Sequence, residues 1–186
     1  MSTYAVVPER PLAIGDEAPN FDLASTEDVV LMLRDEVPRT AVVLYFFADP
    51  AAERVRRDLA ALSRHRDAFQ RRRAKALAVA PSPLAELKLL QRELGLTLPL
   101  LHDDRGFVAV YGVAPPAGDA AGGERPAAPA LFVVGRRQRL LWLANPVAAV
   151  EEALPQIDKL LAAQPSPTAL YPRSVVNRLV DRWVNR

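Results

Sequence analysis

Apolar residues along this chain alternate between short unbroken runs and longer stretches with helical spacing. Residues 41–47 form an unbroken, β-rich run, the pattern of a central strand covered on both faces. Residues 76–80 predict the next buried strand, and residues 98–101 predict a shorter one. Residues 130–134 and 139–143 flank Gly-Arg-Arg-Gln, which is the layout of a β-hairpin.

The run at 41–47 is followed by the first long helical stretch. Asp49 and Pro50 predict an N-cap with proline at the first helical position, and the helix is expected to continue to about Arg73. Its apolar face carries Val55, Leu59, Leu62 and Phe69, and its polar side carries Arg, Asp and His65. We therefore expect His65 to be solvated.

Two further helices are predicted from proline and glycine positions. Pro83 opens a helix over residues 84–94, which Gly95 closes. Pro146 begins a longer helix to Ala163, which its own Pro155 must kink or split because an interior proline loses a hydrogen bond. The short apolar run at 21–23 predicts the start of a strand, and the run at 29–33 predicts either another strand or a helical turn. Residues 107–111 predict one or two helical turns.

The end of the chain predicts a separate amphipathic helix. A Pro-rich linker over residues 164–173 precedes Ser174, which caps a helix over residues 174–186. Its apolar stripe includes Val176, Leu179, Val180 and Trp183, and the segment from Pro165 onwards carries a net charge of +3. Such a stripe must be buried on its own domain, on a second copy or on a membrane surface. We favour packing against protein, as a homodimer or with a protein partner.

The order of these elements indicates the fold class. Strand–helix–strand units that lead into an antiparallel pair give a mixed β-sheet with helices on both faces. That is the three-layer, thioredoxin-like α/β arrangement, here predicted for residues 1–163, with the C-terminal helix added.

The absence of cysteine is the most informative feature of the composition. It excludes disulfides, thiolate nucleophiles, Cys-ligated zinc and iron–sulfur clusters from this chain. A net charge of +2 does not indicate nucleic-acid binding, and the 21 Arg against 3 Lys are typical of a GC-rich genome. The longest apolar stretch, residues 41–48, is too short to span a membrane and no signal peptide is visible, so a cytoplasmic protein is expected.

Five strings of residues occur in the order and spacing of a known family. They are Gly-Asp-Glu-Ala-Pro-Asn-Phe-Asp-Leu at 15–23, Val-Val-Leu-Tyr-Phe-Phe at 42–47, Leu-Pro-Leu-Leu-His-Asp-Asp-Arg-Gly at 98–106, Tyr-Gly-Val at 111–113, and Leu-Phe-Val-Val at 131–134 with Leu140 and Trp142. Over about residues 12–143 the chain resembles the peroxiredoxins of the AhpC/TSA and bacterioferritin-comigratory type. The resemblance implies a thioredoxin-like fold.

The same resemblance implies that the catalytic residues of that family are missing. The family motif P-x-x-x-T-x-x-C, which supplies the peroxidatic cysteine, aligns without a gap on Ala48, Ala52 and Val55. The partner arginine of the later strand aligns on Pro129. Thioredoxin-like relatives carry a cis-proline at this place, so the resemblance is compatible with either a cis or a trans peptide bond between Ala128 and Pro129. We call Ala48, Ala52, Val55 and Pro129 the vestigial site. None of the four side chains can ionise or donate a hydrogen bond, so thiol peroxidase chemistry is excluded.

Two other groups of residues could carry chemistry. Arg54, Arg56 and Arg57 crowd the first turns of the predicted helix, where an anion would offset their unfavourable interaction with the helix dipole. His102, Asp103 and Asp104 are half of a metal site but lack a second ligand cluster, so an ordinary turn is favoured. No metal and no cofactor are expected.

Three functions remain open. The chain is a non-catalytic binding or assembly module from an antioxidant family, or an enzyme redeployed toward an anionic substrate through the arginines or His102, or an adaptor that docks through its C-terminal helix. We favour the first, because a fold supports many functions and the residues of the site decide among them.

Overall fold

Seven strands and six helices follow one another within residues 10–113 and 128–164, the parts of the chain that the computed structural model describes. The strands are β1 (Asp22–Ser25), β2 (Val30–Met32), β3 (Ala41–Phe46), β4 (Ala74–Ala80), β5 (Leu100–His102), β6 (Ala130–Val134) and β7 (Leu140–Ala144). The helices are α1 (Leu33–Glu36), α2 (Glu53–Arg64), α3 (Arg66–Arg71), α4 (Leu84–Glu93), α5 (Phe107–Val110) and α6 (Val150–Ala162).

The strands form one mixed sheet in the order β2-β1-β5-β4-β3-β6-β7. The central strands β3, β4 and β5 are parallel, whereas β1 and β6 run antiparallel to them on either side. The predicted hairpin is confirmed, because β6 and β7 pair antiparallel next to each other. This is the thioredoxin-like arrangement that the element order predicts.

Strand β3 is buried at every position, as its unbroken apolar run predicts. Successive side chains of a strand point to opposite faces of the sheet. Val43 and Tyr45 accordingly join an apolar cluster with α2, α4 and α6, and Leu44 and Phe46 join a second cluster with α1 and α5. The sheet therefore has a core on each face, and helices cover both.

The prediction of one long helix from Pro50 to about Arg73 is wrong at its start and in its middle. The helix begins at Glu53, and it is divided at His65 into α2 and α3. His65 is partly buried rather than solvated, because its Nε2 lies 3.1 Å from Asp158 Oδ2 on α6 and its ring contacts Phe69 edge-on at 4.8 Å. The imidazole thus connects the two helices to α6.

Helix α6 begins at Val150, four residues later than the Pro146 start that the sequence predicts. The N–H groups at and before its start bond to other elements. Val147 N–H donates to the Pro129 carbonyl at 2.9 Å, and Val150 N–H donates to Asp58 Oδ1 at 3.1 Å. Pro155 lies within α6 without splitting it.

The helix predicted after Pro83 is confirmed as α4, and Gly95 adopts the left-handed conformation expected just after a helix end (φ 59°). Within the described ranges no helix combines the length and the apolar character needed to cross a membrane. The predicted linker at 164–173, apart from its first residue, and the predicted helix at 174–186 lie outside the described residues.

Candidate functional site

The segment that joins β3 to α2 carries Ala48 and Ala52, two of the four positions of the vestigial site, and Val55 follows in the first turn of α2. Asp49 Oδ1 accepts a hydrogen bond from Ala51 N–H at 2.8 Å, and the Asp49 carbonyl accepts one from Ala52 N–H at 3.3 Å. These two bonds close a turn ahead of the helix. Asp49 therefore stabilises this turn and does not cap α2, whose N-cap Ala52 offers no side-chain hydrogen bond.

Val55 lies in the first turn of α2 and is 3% exposed. It belongs to the apolar cluster on the face of the sheet that α2, α4 and α6 cover, and Ala52 packs against that cluster. Ala48 is half-buried. Where the resemblance places a peroxidatic thiol, the structure has hydrocarbon inside a packed core.

Pro129 lies just before β6, at the same end of the sheet. The next residue, Ala130, pairs with Phe46 at the end of β3, so the fold brings all four vestigial positions to this end. The cis peptide bond of the described residues is Asn145–Pro146 and not Ala128–Pro129.

Arg54 holds the segment before α6 over this end of the sheet. Its Nη2 donates to the Val147 carbonyl, and the Val147 N–H in turn donates to the Pro129 carbonyl. Arg54 Nε lies 3.8 Å from Asp58 Oδ2, one helical turn further along α2. A chain of polar contacts therefore connects the start of α2, the segment before α6 and the start of β6.

Asp58, which the sequence analysis did not single out, is the buried polar centre of this region. Its side chain is 6% exposed and accepts two hydrogen bonds, from Tyr45 O–H at 2.9 Å and from Val150 N–H at 3.1 Å. Burial raises the pKa of the Tyr45 phenol, and the adjacent Asp58 charge raises it further. Tyr45 therefore remains a neutral hydrogen-bond donor, and the pair joins β3, α2 and α6.

The three arginines proposed to bind an anion do not share one site. Arg56 forms an ion pair with Glu93 of α4 at 2.8 Å. Arg54 and Arg57 line a cavity of about 130 Å³, but Asp58 and Glu151 line it as well. The two carboxylates in this small space repel any further anion, so this geometry gives anion binding at these arginines no support.

Comparison with known proteins decides the family. The family model described as AhpC/TSA family matches residues 14–142, more than two thirds of the chain. The chain belongs to the AhpC/TSA family.

Solved peroxiredoxin structures share the fold of this AhpC/TSA chain. Peroxidoxin BcpB from Mycobacterium tuberculosis superposes with a TM-score of 0.72 at 20% identity, over 82% of this chain and 98% of that one. A cysteine-to-serine mutant of PrxQ from Xylella fastidiosa gives 0.73 at 18% identity, again over 82% and 98%. Mycobacterium bovis AhpC gives 0.66 at 20% identity, over 83% and 93%. No curated protein matches significantly in sequence.

This AhpC/TSA chain uses its His-Asp-Asp string to build a turn. Asp103 Oδ1 accepts from Phe107 N–H at 2.9 Å, and Oδ2 accepts from Val108 N–H at 2.7 Å, so the carboxylate caps α5. His102 Nδ1 lies 2.8 Å from the Ser82 carbonyl. Within residues 10–113 and 128–164, no three His, Cys, Asp or Glu side chains are grouped to hold a metal ion.

The apolar stripe proposed for self-association cannot be placed in the AhpC/TSA fold. Val176, Leu179, Val180 and Trp183 all lie outside the described residues, and the family match ends before them. Their role stays a prediction from the sequence pattern.

Proposed function

We propose that this chain is a catalytically inactive member of the AhpC/TSA family that acts as a binding or assembly module. The observation that carries the proposal is Val55, a buried hydrocarbon side chain at the position that aligns with the peroxidatic cysteine. Reduction of a peroxide by this family requires a sulfur that loses a proton and becomes a sulfenic acid. A valine cannot do either, and no cysteine elsewhere in the chain can replace it.

The surroundings of Val55 support the same proposal. Catalytic pockets keep a concave space beside the nucleophile and donors that stabilise the developing charge. Here the polar groups near this end of the sheet bond to one another: Arg54 to the Val147 carbonyl, and Asp58 to Tyr45. These residues stabilise the fold, which is what a scaffold requires.

Peroxide consumption with a thiol reductant tests the inactive half of the proposal. The purified chain should consume hydrogen peroxide and an alkyl hydroperoxide no faster than a protein-free control, while a cysteine-containing AhpC/TSA protein is active in the same assay. The Val55→Cys variant should also be inactive, because a thiol buried at 3% exposure without the aligned threonine and arginine forms little thiolate.

Turnover by the unmodified chain that disappears when Val55 is changed would overturn the proposal. Strong activity of Val55→Cys would instead show that the site is still built for peroxide chemistry and has lost only its sulfur. Either outcome would mean that the chain is an altered or dormant enzyme and not a scaffold.

The binding half of the proposal concerns the C-terminal stripe. We assign self-association, or docking to a protein partner in the cytoplasm, to Val176, Leu179, Val180 and Trp183. The support is the amphipathic pattern of residues 174–186 and its apolar side chains, which require burial.

A further inference from the structure

A second cavity lies at the other end of the sheet from the vestigial site. It has a volume of about 220 Å³, is partly open to solvent and lies beside the first residues of β4. Ala74 at that point pairs with Ala41, whereas Phe46, next to the vestigial site, pairs with Val79 near the opposite end of β4. The two places are therefore separate, and an inference about this cavity is independent of the proposed function.

The sequence of β4 explains why space remains there. The strand is Ala-Lys-Ala-Leu-Ala-Val-Ala, and its four alanines all face the side of the sheet that α2 and α3 cover. Protein interiors are normally packed to the density of organic crystals, and alanine fills less volume than the leucine or valine found at such positions. The helices above Ala74 and Ala76 therefore leave a gap.

The inner lining of the gap is apolar. Leu62 of α2, Phe69 of α3 and Leu98 before β5 line it above the alanine floor. The wall at Thr97 is held to α2, because Thr97 N–H donates to Ser63 Oγ at 2.9 Å. Such a cavity exists before any ligand enters, which lowers the cost of binding.

The rim of the same cavity is polar and carries more positive than negative charge. Arg66, Lys75, Gln70, Thr97 and Glu27 line it. Lys75 is already paired with Glu36 at 2.8 Å. Arg66, by contrast, makes no ion pair or side-chain hydrogen bond in the part of the chain that the structure describes. A guanidinium beside an apolar cavity offers two parallel donors to a carboxylate.

We propose that this cavity binds a small organic carboxylate with an apolar body, such as phenylacetate or hexanoate. The apolar body lies on Ala74 and Ala76 against Phe69, and the carboxylate meets the guanidinium of Arg66 at the rim. The volume of about 220 Å³ admits a ligand of roughly ten non-hydrogen atoms. Glu27 opposes the carboxylate and limits the affinity.

Titration of the intact, ¹⁵N-labelled chain with phenylacetate tests the site, with its neutral analogue phenylacetamide in a parallel titration. We expect saturable shifts of the backbone amides at 69, 74–76 and 97, with a dissociation constant on the order of 1 mM. Phenylacetamide should bind about tenfold more weakly. Arg66→Gln should weaken phenylacetate binding by a similar factor, and Glu27→Gln should strengthen it several-fold because a repelling charge is removed.

Arg71→Gln is the matched control, because it removes the same charge from the same helix at a position that does not line this cavity. It should leave the affinity unchanged, while Ala76→Leu should fill the space and abolish binding. Equal affinities for phenylacetate and phenylacetamide, shifts confined to other regions, or absence of saturable shifts would each overturn the proposal. So would equal effects of Arg66→Gln and Arg71→Gln.

Discussion

Asp58 shows how a single side chain organises the region around the vestigial site. It lies on the buried face of α2, three residues after Val55 and one before Leu59. A buried carboxylate is costly unless its oxygens accept hydrogen bonds, and here Tyr45 and the Val150 N–H supply them. The carboxylate therefore fixes the positions of β3, α2 and the start of α6 relative to one another.

Replacement of Asp58 by asparagine should destabilise the protein by about 1–3 kcal/mol. An asparagine has one acceptor oxygen, so when it accepts from the Val150 N–H its Nδ2 can only donate to the Tyr45 hydroxyl, which leaves the Tyr45 O–H without its acceptor. Both bonds also lose the carboxylate charge that strengthens them, and Arg54 loses its nearby negative charge. Urea unfolding of the two proteins at neutral pH measures the difference. Asp67→Asn, an exposed change on α3, is the control and should stay within about 0.5 kcal/mol of the unmodified chain. Equal stability of Asp58→Asn and the unmodified chain would contradict the role of Asp58.

The sequence predicts only part of this residue-scale picture. It places Ala48, Ala52 and Val55 on the family motif, because they align without a gap, and this assignment stays a prediction. Asp58 carried a signal that was missed, namely a carboxylate on an otherwise apolar helix face. One of the two partners of Asp58, Val150, and the partner of His65, Asp158, however, lie on α6 more than 90 residues away. No local pattern indicates which side chains such a distance brings together.

At the scale of elements, helix α6 depends on contacts from other parts of the chain more than on its own sequence. Its first N–H bonds to Asp58, and further along it Glu151 pairs with Arg64 at 2.6 Å and Asp158 with His65. Tertiary packing supplies most of the stability of short helices in proteins. Such packing allows α6 to continue through Pro155, which removes one of its hydrogen bonds.

Pro155→Ala should stabilise the protein by about 1–2 kcal/mol. Residue 155 is exposed and follows Glu151 by four positions, so an alanine restores an N–H that can donate to the Glu151 carbonyl. The gain is reduced because alanine makes the unfolded chain more flexible than proline does. Thermal and urea unfolding measure the change, with Gln156→Ala as the control on the same exposed side. A lower stability of Pro155→Ala would mean that the proline ring contributes packing that outweighs the restored bond.

The starts of α2 and α6 are the boundaries that the sequence predicted least well. Asp49 and Pro50 have the composition of a helix start, yet Asp49 bonds to Ala51 N–H and closes a turn. An aspartate can accept from the backbone in either arrangement, and its side chain alone does not decide between them. Strands β3, β4 and β6 were predicted well, because a buried run flanked by polar residues has few alternatives.

At the scale of the whole molecule, the order of strands and helices determines the fold. The fold alone does not determine the function, which depends on the residues of individual sites. A mixed sheet with helices on both faces follows from the alternation of buried runs and amphipathic helices, whereas the order of the seven strands is known from the structure. The cavity beside β4 could not be predicted in the same way. Four alternating alanines are visible in the sequence, but the space above them depends on where α2 and α3 lie.

Assembly is the property of the whole molecule that the C-terminal stripe predicts. Leu179→Asp places a charge in the middle of the stripe, and the cost of burying that charge should dissociate a homodimer held by it. Arg178→Gln changes the net charge by the same amount on the opposite side of the predicted helix, so it serves as the matched control. Size-exclusion chromatography with light scattering should show twice the mass of one chain for the unmodified protein and for Arg178→Gln, and the mass of one chain for Leu179→Asp. If Leu179→Asp is still a dimer, the interface lies elsewhere on the chain. If all three proteins are monomers, the chain does not self-associate, and the stripe must be buried against a different partner.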